Sequence, residues 1–210
     1  MPAPFAPPTF YELGGAIDDI APSTITTYEA GYIYKGNDNE LGLTLFHSGI
    51  KDPITFRTEG YDNGGDVSLH GAELEWMHRF NRRARLNSNL SWLQSEDRDA
   101  ADQPLGGSSD WLANVSLDLK PAPDSRVNIR YRYVGEVHRE VNDSREALSD
   151  YSTLDLTFSQ LDLFKQGLSL RLGVKNLLDQ EVTYPAPADT YPQDRPRPGR
   201  LWWAGLSYQF

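Results

Sequence analysis

Two carboxylates separated by one residue, Glu73 and Glu75 in "HGAELEW", are the kind of pair that could divide acid–base work, one holding a proton while the other accepts one. On an extended chain they share a face about 7 Å apart, and beside Gly71 they read instead as part of a solvated charged wall. Arg130 and Arg132 repeat that spacing with the opposite sign. Asp118 and Asp155 stand on the alternating segments before and after them, so cross-strand ion pairs are expected, Arg130 with Asp118 in particular. Glu29 and Arg171 join the residues assigned to this inward face. The four histidines, His47, His70, His78 and His138, are scattered and make no HExxH or comparable metal spacing. The loops "DNGGD" (62–66) and "SEDRDAADQ" (95–103) carry enough carboxylates for Ca²⁺ but match no complete EF-hand pattern, and read as solvated loops. There is no G-x-S-x-G elbow, no phosphate loop and no cysteine. No catalytic residues, resident metal or cofactor are therefore expected, and the chain is read as a non-enzyme.

What must position such a wall is a set of strands. Residues 127–133 put Val127, Ile129, Tyr131 and Tyr133 on one side and Asn128, Arg130 and Arg132 on the other. Residues 111–119 and 168–175 alternate in the same way, and noisier versions cover 24–35, 40–50, 66–79, 84–95, 150–158 and 199–210. About nine strands result, most near the ten residues that a tilted membrane strand requires. No segment carries a convincing helical stripe; "SQLDLFKQG" comes nearest and is too short. A mean hydropathy of -0.57 and a net charge of -10 look soluble. A barrel that needs apolar side chains on alternate positions only would give the same averages. No apolar run is long enough for a membrane helix, and the N-terminus has no basic or apolar export signal. The acidic balance argues against nucleic acid as a partner.

Connections alternate strictly in length. "GNDN" (36–39), "NRR" (81–83), "PAPDS" (121–125) and "SQLDLFKQG" (159–167) are short, whereas 51–65, 96–109, 137–149 and 177–198 are long. An up-and-down meander then gathers the short turns at one end and the long loops at the other, as in outer-membrane barrels; Greek-key sandwiches have no reason to do so. Tyr28, Tyr32, Tyr34, Trp76, Trp92, Trp111, Tyr131, Tyr133, Trp202 and Tyr208 fall on the expected outward face, the composition of an interfacial girdle. Nine antiparallel strands cannot close, so an all-β, antiparallel, open segment of a larger barrel is expected, with further strands upstream of Met1.

Five stretches in order carry a family resemblance: "PTFYELGG" (8–15) with "PSTITTYEAGYIYK" (22–35), then "DVSLHGAELEW" (66–76), "LRLGVKNLLDQEVTY" (170–184) and "RPGRLWWAGLSYQF" (197–210). With them the chain resembles the C-terminal barrel segment of TonB-dependent outer-membrane receptors over nearly its whole length. "PAPFAPP" departs from the family, which usually has Arg before Ala-Pro, and this blurs only the first loop. The resemblance implies a single segment: 1–23 part of an extracellular loop, then 24–210 as strands, periplasmic turns and extracellular loops. It implies an outer-membrane location of Gram-negative type, lipid around the sheet, and energy-coupled uptake of a siderophore-like ligand. TonB would be reached only through an N-terminal region that these residues do not include. The terminal Leu206, Tyr208 and Phe210 would be read by the barrel-assembly machinery. From loop position, Tyr184, Asp189, Tyr191, Asp194, Arg195 and Arg197 are the ligand-loop candidates. A soluble carbohydrate-binding β-sheet module and part of a plain porin remain as alternatives.

Overall fold

The structure is a computed structural model that describes residues 5–57, 59–100, 103–140, 143–164, 166–187 and 192–209. In chain order its strands are β1 (Phe5–Ala6), β2 (Ser23–Lys35), β3 (Asn39–Lys51), β4 (Ile54–Arg57), β5 (Gly60–Asn63), β6 (Val67–Asn81), β7 (Ala84–Asp97), β8 (Trp111–Leu119), β9 (Ser125–Val134), β10 (Tyr151–Gln160), β11 (Leu168–Lys175), β12 (Thr183–Tyr184), β13 (Arg195–Pro196) and β14 (Leu201–Tyr208). Ten of them form one antiparallel sheet in the order β1-β2-β3-β6-β7-β8-β9-β10-β11-β14. The nine long strands are those that alternation predicts, and β8 and β11 have the predicted bounds. β4 pairs with β5 and β12 with β13 as small hairpins inside long loops, which alternation over so few residues could not reveal.

Two local elements went unread in the sequence. A single helical turn, α1 (Phe10–Gly14), begins at Thr9, whose hydroxyl accepts from the Glu12 N–H while the Glu12 carboxylate accepts from the Thr9 N–H. This is a capping box, and "TFYE" spells it out. A 3-10 turn covers Arg98–Ala100. In the connection between β10 and β11, Asp162, Phe164 and Gly167 have positive φ, which a helix does not allow. At Gly167 (φ +85) a Cβ would also run into the Gln209 carbonyl, so the turn needs glycine there.

The sheet is one layer thick, and it is open. Among the described residues no strand lies beside β14 on its outer edge, nor beside β2 past Thr24. Its accessible surface is 14593 Å², where a compact 23.7 kDa monomer exposes roughly 9,800 Å². The missing burial is on the sheet faces. Tyr28, Tyr32, Leu45, Leu74, Trp76, Leu90, Leu172, Trp202 and Leu206 are all exposed, and the buried cluster Val134, Val137, Leu148, Tyr151 and Val182 sits at the long-loop end. The sheet also has a step. The last β7–β8 pair is Trp92↔Trp111, yet β6 and β7 continue through five further pairs from Gly71↔Leu93 to Val67↔Asp97.

Candidate functional site: a charged wall and its rim

Register carries each side chain to a definite face. Following partners across the sheet, Glu29↔Phe46↔Gly71↔Leu93 on β2, β3, β6 and β7 are in line, as are Asn89↔Asn114↔Arg132↔Thr153 on β7 to β10 and Arg171↔Gly205 on β11 and β14. Glu29, Glu73, Glu75, Asp118, Arg130, Arg132, Asp155 and Arg171 therefore lie on a single face, opposite the aromatic one. Glu73 and Glu75 look onto Thr44 and Gly42 across β3 and onto Ser91 and Asn89 across β7. Between them and the arginines runs an amide row. Asn114 Nδ2 donates to Asn89 Oδ1 at 2.9 Å, and Asn128 Nδ2 donates to Ser116 Oγ at 2.9 Å and to Asp118 at 2.8 Å.

The Arg130–Asp118 ion pair expected from the sequence is not formed. Asp118 lies opposite Asn128 on β9 and Arg85 on β7, while Arg130 lies opposite Ser116 and Asp155. Asp118 accepts from Arg85 (3.2 Å), Asn87 (3.2 Å) and Asn128, so its oxygens are already used. Asp155 also serves another group, accepting the Asn176 N–H at 2.9 Å. Among the described residues, Arg130, Arg132 and Lys175 have no ion pair.

Small residues on this face make room for rings. A Cβ on Gly71 would strike the Trp92 carbonyl and the Phe46 ring, and one on Gly173 would enter the Trp203 indole. The Arg171 guanidinium lies 5.9 Å from that indole. The histidines are less scattered in space than in sequence: His47 and His70 oppose each other across β3 and β6, His78 contacts Asn39 at 2.8 Å and His138 contacts Asp110 at 2.9 Å. The "DNGGD" and "SEDRDAADQ" loops are tied together by Arg98 and Asp66 at 3.3 Å.

At the rim, the "NLLD" and "PGR" motifs lock to each other. Asn176, at φ 50 and buried, closes a turn by accepting from the Gln180 N–H (3.0 Å) and donating to its carbonyl (2.8 Å). Asp179 then accepts from the Arg200 backbone N–H (2.7 Å) and guanidinium (3.2 Å), and these hold its carboxyl below the usual range. A Cβ on Gly199 would press on that carboxylate.

Of the six ligand-loop candidates, Asp189 and Tyr191 lie outside the described residues, as does the terminal Phe210. Tyr184 and Arg197 pair: the guanidinium donates to the phenol at 2.7 Å and stands 5.0 Å from its ring centre. Arg195 faces Tyr184 across β12 and β13. Asp194 is the hub of an ion cluster, accepting from Arg139 with both oxygens (2.8 and 2.7 Å), from Arg145 (3.4 Å) and from the Ala186 N–H (3.3 Å). Asp143 completes the cluster, 2.6 Å from Arg145 and 3.5 Å from Arg139. Hydrogen bonds from Arg145 bring the Asp143 carboxyl down to about 2, and Arg139 lowers that of Asp194. The cluster fastens loop 135–150 to loop 176–200. Sequence reading missed Arg139, Asp143 and Arg145; the signal available was the run of opposite charges in "REVNDSRE" within a long loop.

The copper transporter OprC aligns over 98% of this chain and 35% of its own, at 18% identity and a TM-score of 0.79. The ferric yersiniabactin uptake receptor FyuA from Yersinia pestis aligns over 91% and 30%, at 18% identity and 0.76. A mutant of the ferric enterobactin receptor PfeA from Pseudomonas aeruginosa aligns over 91% and 32%, at 19% identity and 0.75. The fold is thus shared, and the chain spans about a third of the length of these solved receptors. No curated protein sequence matches. The family described as TonB dependent receptor-like, beta-barrel matches residues 5–177; it is a family of outer-membrane transport receptors rather than enzymes, with TonB and a transported ligand as its general partners. With the open antiparallel sheet, the sorted loops and this match over most of its length, the chain belongs to the TonB-dependent receptor β-barrel family.

Proposed function

We propose that these residues are the C-terminal part of the barrel of an outer-membrane receptor that takes up a scarce ligand of the iron–siderophore type, with energy delivered through TonB. The observation that carries this reading is the pairing of a two-faced sheet with sorted loops: one face of aromatic and aliphatic residues for lipid, one charged face for a lumen, and every long loop at the same end. Residues 1–23 then belong to an extracellular loop and 24–210 to strands, turns and loops. TonB acts on a part of the receptor outside these residues. Leu206, Tyr208 and Phe210 mark the strand offered to the barrel-assembly machinery. Ligand contacts come from the rim, with Tyr184, Asp189, Tyr191, Arg195 and Arg197 available. Asp194 contributes by holding the two loops together. Siderophore receptors and a copper transporter both share the fold, so the test offers both cargoes.

Deleting the gene that encodes this chain should abolish uptake of radiolabelled iron bound to one member of a siderophore panel, and loss of TonB should do the same. Unchanged iron uptake with lost copper uptake would replace the cargo. Uptake indifferent to TonB would remove the reading altogether. Fractionation should find the product in the outer membrane.

A further inference from the structure

We propose that the short-turn end of the sheet carries, on its aromatic side, a binding site for one anionic phospholipid. Arg82, Arg83 and Lys120 hold the phosphate, and an acyl chain lies over Ala84 and Leu119. The turn after β6 and the turn after β8 are joined there: the Lys120 N–H donates to the Arg83 carbonyl at 2.7 Å, one step past the last β7–β8 pair, Ala84↔Leu119. The Arg83 N–H is fixed in turn by the Asn81 side chain at 2.7 Å. A concavity of about 570 Å³, within the range of small-molecule sites, has the three cations together with Ala84, Leu119 and Pro121 in its wall.

Register decides which face this is. Ala84↔Leu119↔Val127↔Phe158↔Leu172 are in line across β7 to β11, on the side of the sheet that exposes Tyr131 and Trp202. The next pair on that side, Leu86↔Leu117, continues the apolar track toward the middle of the strands. Phe80, 57% exposed, flanks the turn with its ring 4.4 Å from His78, which opposes Leu86. Arg85 points to the opposite face, where Asp118 takes it at 3.2 Å.

The three cations are exposed, and among the described residues none of them forms an ion pair. Asp124 is the one acid in these two turns. Their place in the sheet matters. Strands β1, β2 and β3 lie beyond β6, and β10, β11 and β14 lie beyond β9, so the connections that flank the site, after β2 and after β10, belong to this chain. The acids there, Asp38 and Asp162, are not paired with the three cations either. Further strands join at the sheet edges, away from this site. Guanidinium forks offer paired donors to phosphate oxygens, and an ammonium adds a point charge. A soluble phosphate would use the cations and gain nothing from the apolar track. A phospholipid uses both, each cation at a lipid surface being worth about fivefold in affinity. The inference rests on the preceding reading, which puts the short turns on the periplasmic side and the aromatic face in lipid.

The test uses the complete receptor containing this chain, purified from outer membranes and stripped of lipid in detergent. It is titrated with phosphatidylglycerol, with phosphatidylcholine as the net-neutral control and with inorganic phosphate as competitor, and bound lipid is counted by native mass spectrometry. The receptor should hold one phosphatidylglycerol more tightly than phosphatidylcholine, millimolar phosphate should not displace it, and R82Q/R83Q should weaken it by roughly tenfold or more. If that variant fails to reach the outer membrane, Lys120→Gln carries the same test, with a several-fold loss expected. Equal binding of the two lipids, an affinity unchanged in the variants, or displacement by inorganic phosphate overturns the proposal. Outer-membrane location and TonB-dependent uptake are read separately: a receptor that passes both and shows no preference for phosphatidylglycerol fails this inference alone, and one found outside the outer membrane fails the preceding reading.

Discussion

Asp143 and Asp194 show how much a loop can depend on two carboxylates. Both are held below the ordinary range by arginines, Asp143 at about 2 against an unperturbed 3.8. A depressed carboxyl stabilises the folded form above its unfolded value and loses that contribution as pH falls through the folded one. The loop clamp should therefore be complete at pH 7 and at pH 5, and open only between about 4 and about 2. Spin labels at Ser144 and Pro187 should keep their separation down to pH 5 and move apart below pH 4; separation at pH 5 would show that other contacts set the clamp. Asp194→Asn leaves Arg139, whose side chain is only 9% exposed, short of its bidentate partner, and should weaken docking by about 2 kcal/mol. The same labels at pH 7 provide the readout. Gly71 is a different kind of constraint. Gly71→Ala places a methyl against the Trp92 carbonyl, which cannot swing away, so roughly 1–3 kcal/mol should be lost in urea unfolding of the receptor in lipid. At this scale the sequence was least legible. Asp118 and Arg130 look like partners on adjacent strands, but the connection at 120–124 sets a register that puts Asn128 opposite Asp118 and Ser116 opposite Arg130. Charge types were readable; which charges meet was not.

Strands were the most legible level, because period two survives whatever the partner strand is. Where the periodic stretch is clean, at 111–119 and 168–175, predicted and observed bounds agree; where it is noisy, as at 66–79, the strand runs on to Asn81. What escaped notice obeys other rules. The Thr9–Glu12 box is a side-chain motif without periodicity, and β4–β5 and β12–β13 are too short to show any. The two faces make an element-level prediction. Leu74 and Ser91 sit on neighbouring strands but on opposite faces, since Leu74 opposes Leu90 while Ser91 opposes Glu73. Leu74→Arg should cost about 2–4 kcal/mol in a lipid-embedded receptor, and Ser91→Arg under about 1 kcal/mol. Equal costs measured by urea titration in vesicles would show that the aromatic face does not meet lipid.

As a whole molecule, the chain exposes roughly half again the surface expected for its mass, much of it aromatic or aliphatic, and among the described residues the outer edges of β14 and most of β2 have no neighbouring strand. Produced alone without detergent or lipid, the 210-residue chain should pellet rather than run as a monomer in sedimentation. A stable soluble monomer would contradict the lipid-facing assignment. One feature of shape also sets how a ligand could reach the rim. β6 and β7 rise about 17 Å above the level at which β8 begins, while β8, β9, β10 and β11 stop low and hand over to the clamped loops. The mouth is therefore tilted, with a parapet on one side and a sill on the other. In the proposed receptor a solute descending from outside is shielded along the high strands and admitted over the low ones, toward a wall on which Glu75 stands level with Arg132 and Glu73 two residues further out.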